Sequence, residues 1–131
     1  MKQNSAASAL LAAVVDIVLV VLFVLIGRAS HNEGPLGTLV TLWPFLAGLV
    51  IGWIGARAWR TPLALRWTGL TIWAATVIVG MLLRVVAGQG VQFGFVIVTA
   101  VVLGIFLLGW RAIAQFVLRV RARRTSQVRG P

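Results

Sequence analysis

Two acids, Asp16 and Glu33, supply all the side-chain carboxylate chemistry open to this 131-residue chain. Asp16 stands inside the run Ala9–Gly27, where every other residue is apolar or glycine. A carboxylate within a membrane span costs about 2.5–3.5 kcal/mol on insertion scales, so a partner, a protonation or a task normally explains it. It can bind a proton or a cation for transport, or close an ion pair between helices. Arg28 lies twelve residues further along the same stretch, roughly 18 Å at helical rise, too far to reach it. Arg84 falls near the opposite end of a later span. Arg111 is better placed, because sequence that is apolar apart from Gln115 continues past it from Ala112 to Leu118 and holds its side chain inside the apolar layer. The expected intramembrane polar pair is therefore Asp16–Arg111, with Arg57 as second choice. A structural lock and a coupling site both remain open readings of it.

A second polar group gathers at the other end: Arg28, His31, Glu33 and Arg84. His31 and Glu33 offer two ligands, whereas catalytic zinc takes three and structural zinc four. No nucleophile or oxyanion donor set stands beside His31, so base catalysis is not expected there. A solvated polar turn with an arginine–glutamate contact is the plainer reading. Cysteine is absent, which removes disulfides, thiolate metal sites and thiol nucleophiles together. No metal or cofactor is implied, and no enzyme activity is expected.

The elements that position these residues must lie in lipid. The chain is 60% hydrophobic and 11% charged, with a mean hydropathy of +1.02. A soluble domain carries about 25% charged residues, so there is too little polar surface here to clothe one. Four apolar stretches, about residues 8–27, 36–56, 63–86 and 91–118, are each long enough to cross a bilayer as a helix. Four strands are too few for a barrel, and an open strand cannot satisfy its backbone in hydrocarbon. The expected fold is all-α: an integral membrane four-helix bundle, one domain over residues 1–131, with antiparallel neighbours and a basic C-terminal tail over 119–131. Ser30–Pro35 reads as the first turn. Thr61-Pro62 reads as a cap and first helical position opening the third span. Gly88-Gln89-Gly90 separates the third span from the fourth.

With both termini on one side, that side carries Lys2, Arg57, Arg60, Arg66, Arg111, Arg119, Arg121, Arg123, Arg124 and Arg129. The opposite side carries Arg28 and Arg84. Ten against two places both termini in the cytoplasm, in a multi-pass protein of the plasma membrane. The net charge of +10 is thus spent on orientation, not on nucleic acid. Arg119, Arg121, Arg123 and Arg124 are expected to meet anionic lipid headgroups, with the tail disordered beyond its first turn or two. Gly48, Gly52 and Gly55 form a smooth stripe on the second span that lets helices approach closely, within the bundle or between copies. Pro44 releases a backbone carbonyl in the same span. Trp53, Trp59, Trp67 and Trp110 should gather near the cytoplasmic interface, while the deeper Trp73 needs an acceptor for its N–H.

Several marks recur in order: Asp16; Gly27-Arg28-Ala29-Ser30-His31; Trp43-Pro44-Phe45; Gly80-Met81-Leu82-Leu83-Arg84; and Gly109-Trp110-Arg111. Over Ala9 to Arg111 the chain resembles a family of small four-span membrane proteins. That family is common in actinobacteria and haloarchaea and is catalogued as a domain of unknown function. The resemblance implies the four-span architecture and assigns no activity.

Taken with the missing extramembrane domain and the packing glycines, these features point first to an assembling or accessory bundle. Such a bundle would act in a homo-oligomer or with a larger membrane-protein partner. The alternative is a small oligomeric transporter or channel using Asp16 as its proton, ion or substrate site. A lipid-modifying enzyme built on Arg28, His31, Glu33 and Arg84 ranks last.

Overall fold

A computed structural model of the chain describes the backbone of residues 2–29 and 35–128, and the side chains of 6–27 and 36–124. Among the described residues four helices cross the molecule: α1 (Lys2–Ala29), α2 (Pro35–Ala56), α3 (Leu70–Val86) and α4 (Phe93–Val128). A single turn of π-helix, Leu65–Gly69, leads into α3. With the π-turn counted into the third (Leu65–Val86), all four are long and apolar enough to span a bilayer, so this is a multi-pass membrane protein. In hydrocarbon a helix satisfies its backbone internally, which is why valine-rich sequence such as Val14–Val24 is helical here and not extended.

Neighbouring helices are antiparallel throughout. Along α1 and α2, Asp16 meets Trp53 and Phe23 meets Phe45. Between α2 and α3, Gly52 faces Ile72 and Gly48 faces Thr76. Between α3 and α4, the Trp73 indole donates to the Ala100 carbonyl at 2.9 Å, while Gly69 lies against Leu108 and Arg111. The start of α1, the α2–α3 turn and the end of α4 therefore share one end of the bundle.

The core is drawn from one line on each helix: Val20, Phe23 and Val24; Leu42, Phe45 and Leu49; Ile72 and Met81; Leu103 and Leu107. Phe45 is its centre, edge-on to Phe23 at 5.6 Å and tilted against Phe95 at 6.3 Å. Gly80 admits that ring, since a Cβ there would stand 2.6 Å from it.

Two chain reversals are closed by the same hydrogen-bond pattern. After α3, Gln89 N–H returns to Arg84 O and Gly88 N–H to Val85 O, with Gly88 at φ +75°. After α2, Ala58 N–H returns to Trp53 O and Arg57 N–H to Ile54 O, but the left-handed position is held by Arg57 at φ 51°. Pro44 has no N–H to give Val40, and the Gln89 side chain supplies one instead, Nε2 to Val40 O at 3.0 Å. The proline is thereby tied to the α3–α4 turn.

The third span does not start at Thr61-Pro62. Those residues belong to the turn, helical structure begins with the π-turn at Leu65, and its cap position, Ala64, makes no side-chain capping bond. The cause is tertiary: the Pro62 and Leu63 carbonyls accept from α4 side chains and hold that segment out of the helix. The tail also departs from expectation, because α4 stays helical to Val128. Arginine and alanine are good helix formers and no glycine or proline intervenes before Gly130, so the helix simply propagates.

Gly48 and Gly55 should respond oppositely to alanine. A Cβ on Gly48 would meet backbone atoms of Ala75 and Thr76 at 3.0 Å, whereas one on Gly55 meets nothing within 4 Å. Gly48→Ala is expected to destabilise by about 1–3 kcal/mol, and Gly55→Ala to be neutral or to stabilise by up to about 1 kcal/mol. Thermal unfolding in detergent checks both; equal effects would contradict the close α2–α3 contact.

Candidate functional site: a buried Asp–Arg–Trp cluster

Asp16 and Arg111 are brought together from the first and last helices, and both side chains are fully buried. The contact is a two-pronged ion pair: Arg111 Nη1 donates to Asp16 Oδ1 at 2.9 Å and Nη2 to Oδ2 at 2.7 Å. Two indoles complete the shell. Trp110 Nε1 donates to Oδ1 and Trp53 Nε1 to Oδ2, each at 2.8 Å. Each carboxylate oxygen thus accepts two N–H groups, which fills the roughly four acceptor positions a carboxylate has.

The guanidinium is held as firmly as the acid. Arg111 Nε donates to the Pro62 carbonyl at 2.9 Å, and Nη1 also reaches the Leu107 carbonyl one turn earlier at 3.0 Å. Its carbon lies 4.7 Å from the centre of the Trp110 ring, a favourable cation–π distance. One turn further along α4, Gln115 Nε2 donates to Leu63 O at 2.7 Å. The hydroxyls of Thr61 and Thr68 share a 2.9 Å hydrogen bond, and Trp67 Nε1 donates to Ala56 O at 2.8 Å. Residues 61–68 are therefore clamped beneath the ion pair. Gly69 helps by letting α4 come close; a Cβ there would stand 2.8 Å from Leu108 and 3.4 Å from the Arg111 stem.

One carboxylate consequently joins α1, α2, the α2–α3 turn and α4. A buried ion pair returns little net stability against its desolvation, but removing one partner strands the other charge. Among the described residues no group of three or more His, Cys, Asp or Glu could hold a metal.

The other sequence-derived candidates are placed as follows. Arg57, the second choice for Asp16, is exposed on the turn. Arg84 sits at the opposite end, with Nη1 on Gln89 Oε1 at 3.0 Å, Nη2 on Gly90 O at 3.3 Å and its guanidinium 4.7 Å above the Phe95 ring. His31, Glu33 and the Arg28 side chain lie outside the described residues. Gly48 and Gly52 face α3 and Gly55 faces open space. Arg119, Arg121, Arg123 and Arg124 are exposed on the C-terminal extension of α4.

The roles of Trp53, Trp110 and the Pro62 carbonyl escaped sequence reasoning. A signal for the tryptophans existed: a buried indole needs an acceptor, and Asp16 has acceptor capacity beyond one arginine. Nothing in the sequence marked Pro62.

Asp16→Asn leaves Arg111 buried without a counter-charge and should cost about 3–5 kcal/mol. Trp110→Phe removes one donor and should cost about 1–3 kcal/mol. Asp16→Asn combined with Arg111→Gln should lose less than the sum of the two single changes. Thermal unfolding in detergent measures all of these; an Asp16→Asn protein as stable as the parent would contradict the lock.

Comparison with known proteins adds no activity. No curated protein and no solved structure matches the chain. A family model described as "Protein of unknown function (DUF3054)" matches residues 13–114, a stretch that contains both Asp16 and Arg111. The chain, with its four membrane-spanning helices, belongs to the DUF3054 family of proteins of unknown function.

Proposed function

We propose that this protein is a non-catalytic assembling or accessory bundle. In this reading Asp16–Arg111 is an internal lock, and the outer faces meet other copies of the chain or a larger membrane complex. The carrying observation is the saturation of Asp16: all four acceptor positions are occupied by Arg111, Trp53 and Trp110. A transported proton or cation would have to displace one of these donors. The exterior supports assembly, since between 17% and 39% of each apolar window is buried inside the bundle. Gly55 and Gly109 face open space, leaving room for another backbone to approach.

The plasma membrane is the proposed location, with both termini cytoplasmic. Nine basic residues on described backbone, Lys2, Arg57, Arg60, Arg66, Arg111, Arg119, Arg121, Arg123 and Arg124, belong to the end shared by the α1 start, the α2–α3 turn and the α4 terminus. Absence of native cysteine makes this easy to check. A Ser126→Cys protein should react with an impermeant thiol reagent after the cells are opened and not before. Labelling of intact cells would reverse the orientation.

Function is tested by two measurements on the purified full chain. Mass measurement in native lipid should find more than one copy, or a copurifying membrane protein. In vesicles carrying a proton or cation gradient, flux should equal that of empty vesicles. A lone chain without partners would overturn assembly. Flux that stops in a folded Asp16→Asn protein would establish the transporter reading instead.

A further inference from the structure

At the end of the bundle remote from Asp16, a cavity of about 470 Å³ lies between α1 and α4. Its walls differ in chemistry. Phe23 and Val24 from α1 face Phe95 and Val98 from α4, an apolar slot running toward the middle of the spans. Its mouth is polar, with Arg84, Gln89 and Gln92. Arg84 lies two residues before the end of α3 and both glutamines lie in the following turn, so the polar end sits where a span leaves the hydrocarbon. Arg84 is the charged side chain among the described lining residues, and it is fixed in direction by Gln89, Gly90 and the Phe95 ring.

We propose that this cavity binds one anionic phospholipid, with its phosphate on Arg84 and the glutamines and its first methylenes between Val24 and Val98. Arginine matches phosphate oxygens with paired N–H groups. A small hydrated anion would use the mouth and leave the slot unfilled, whereas an amphiphile fills both. The site is distinct from the basic α4 extension, which lies at the other end of the bundle and offers exposed charge. It stands independently of the assembly reading.

Two of the three glycines in the lining, Gly27 and Gly94, give a direct handle. A Cβ on either meets nothing within 4 Å, so Gly94→Leu can occupy the cavity without displacing the bundle. The experiment is native mass spectrometry of the full chain, released from non-ionic detergent after titration with phosphatidylglycerol. It is run also on a chain whose Arg119, Arg121, Arg123 and Arg124 are all changed to glutamine. One retained phosphatidylglycerol per chain is expected, and it should persist in the tail-substituted protein. Gly94→Leu and Arg84→Gln should each lower that occupancy at least about tenfold, the loss expected for a charge-assisted contact. Gly94→Leu should unfold at the parent temperature, so its result holds even if Arg84→Gln is unstable. Retention unaffected by Gly94→Leu, loss with the tail substitutions, or equal retention of phosphatidylcholine would each overturn the site. Binding of inorganic phosphate without retained lipid would identify a soluble-anion site and overturn the lipid assignment.

Discussion

A carboxylate in a lipid-embedded bundle must have its acceptor capacity met by donors from the chain itself, and that requirement organises this molecule. Two donors come from Arg111 and one each from Trp53 and Trp110. Meeting it fixes the depth of α1 against α4, the rotation of α2 and the path of the turn whose Pro62 carbonyl accepts from Arg111. Association of helices in lipid lacks the hydrophobic driving force available in water. Directional bonds and close packing must therefore choose the register. Here the directional bonds converge on one buried acid, and the close packing runs along Gly48 and Gly52 against α3.

The two ends of the bundle are built on different logic. Around Arg111 and Asp16, charge is buried, paired and enclosed. At the Gln89 end, polar groups knit the backbone: Pro44 leaves a carbonyl open, Gln89 fills it, and Arg84 steadies Gln89. Mixed chemistry and space remain there, between Phe23–Gly27 and Gly90–Val98. An enclosed acid suits a lock, and an open amphipathic slot suits a ligand.

Most of the architecture was legible in the sequence because lipid simplifies the problem. Apolar length forces four helices, short connections force antiparallel neighbours, and an intramembrane acid demands a donor. Arg111 stood out because the apolar sequence continues beyond it. Three features were not legible, for local reasons. Thr61-Pro62 has the form of a helix start, but α4 captures its carbonyls and delays the helix to Leu65. Continuous helix to Val128 followed from propensity, which charge density had obscured. The indole donors of Trp53 and Trp110 depend on helix rotation, and periodicity says little about rotation in helices that are apolar nearly all round.

The central claim, that Asp16 is sealed by those two indoles, is tested most directly by hydrogen exchange of the tryptophan side-chain N–H signals in nuclear magnetic resonance of the folded protein. Slow exchange is predicted for Trp53 and Trp110, with both resonances displaced by Asp16→Asn, while exposed Trp59 exchanges rapidly and is undisturbed. Exchange of Trp53 and Trp110 as fast as that of Trp59 would show that water reaches the carboxylate, and would contradict the account.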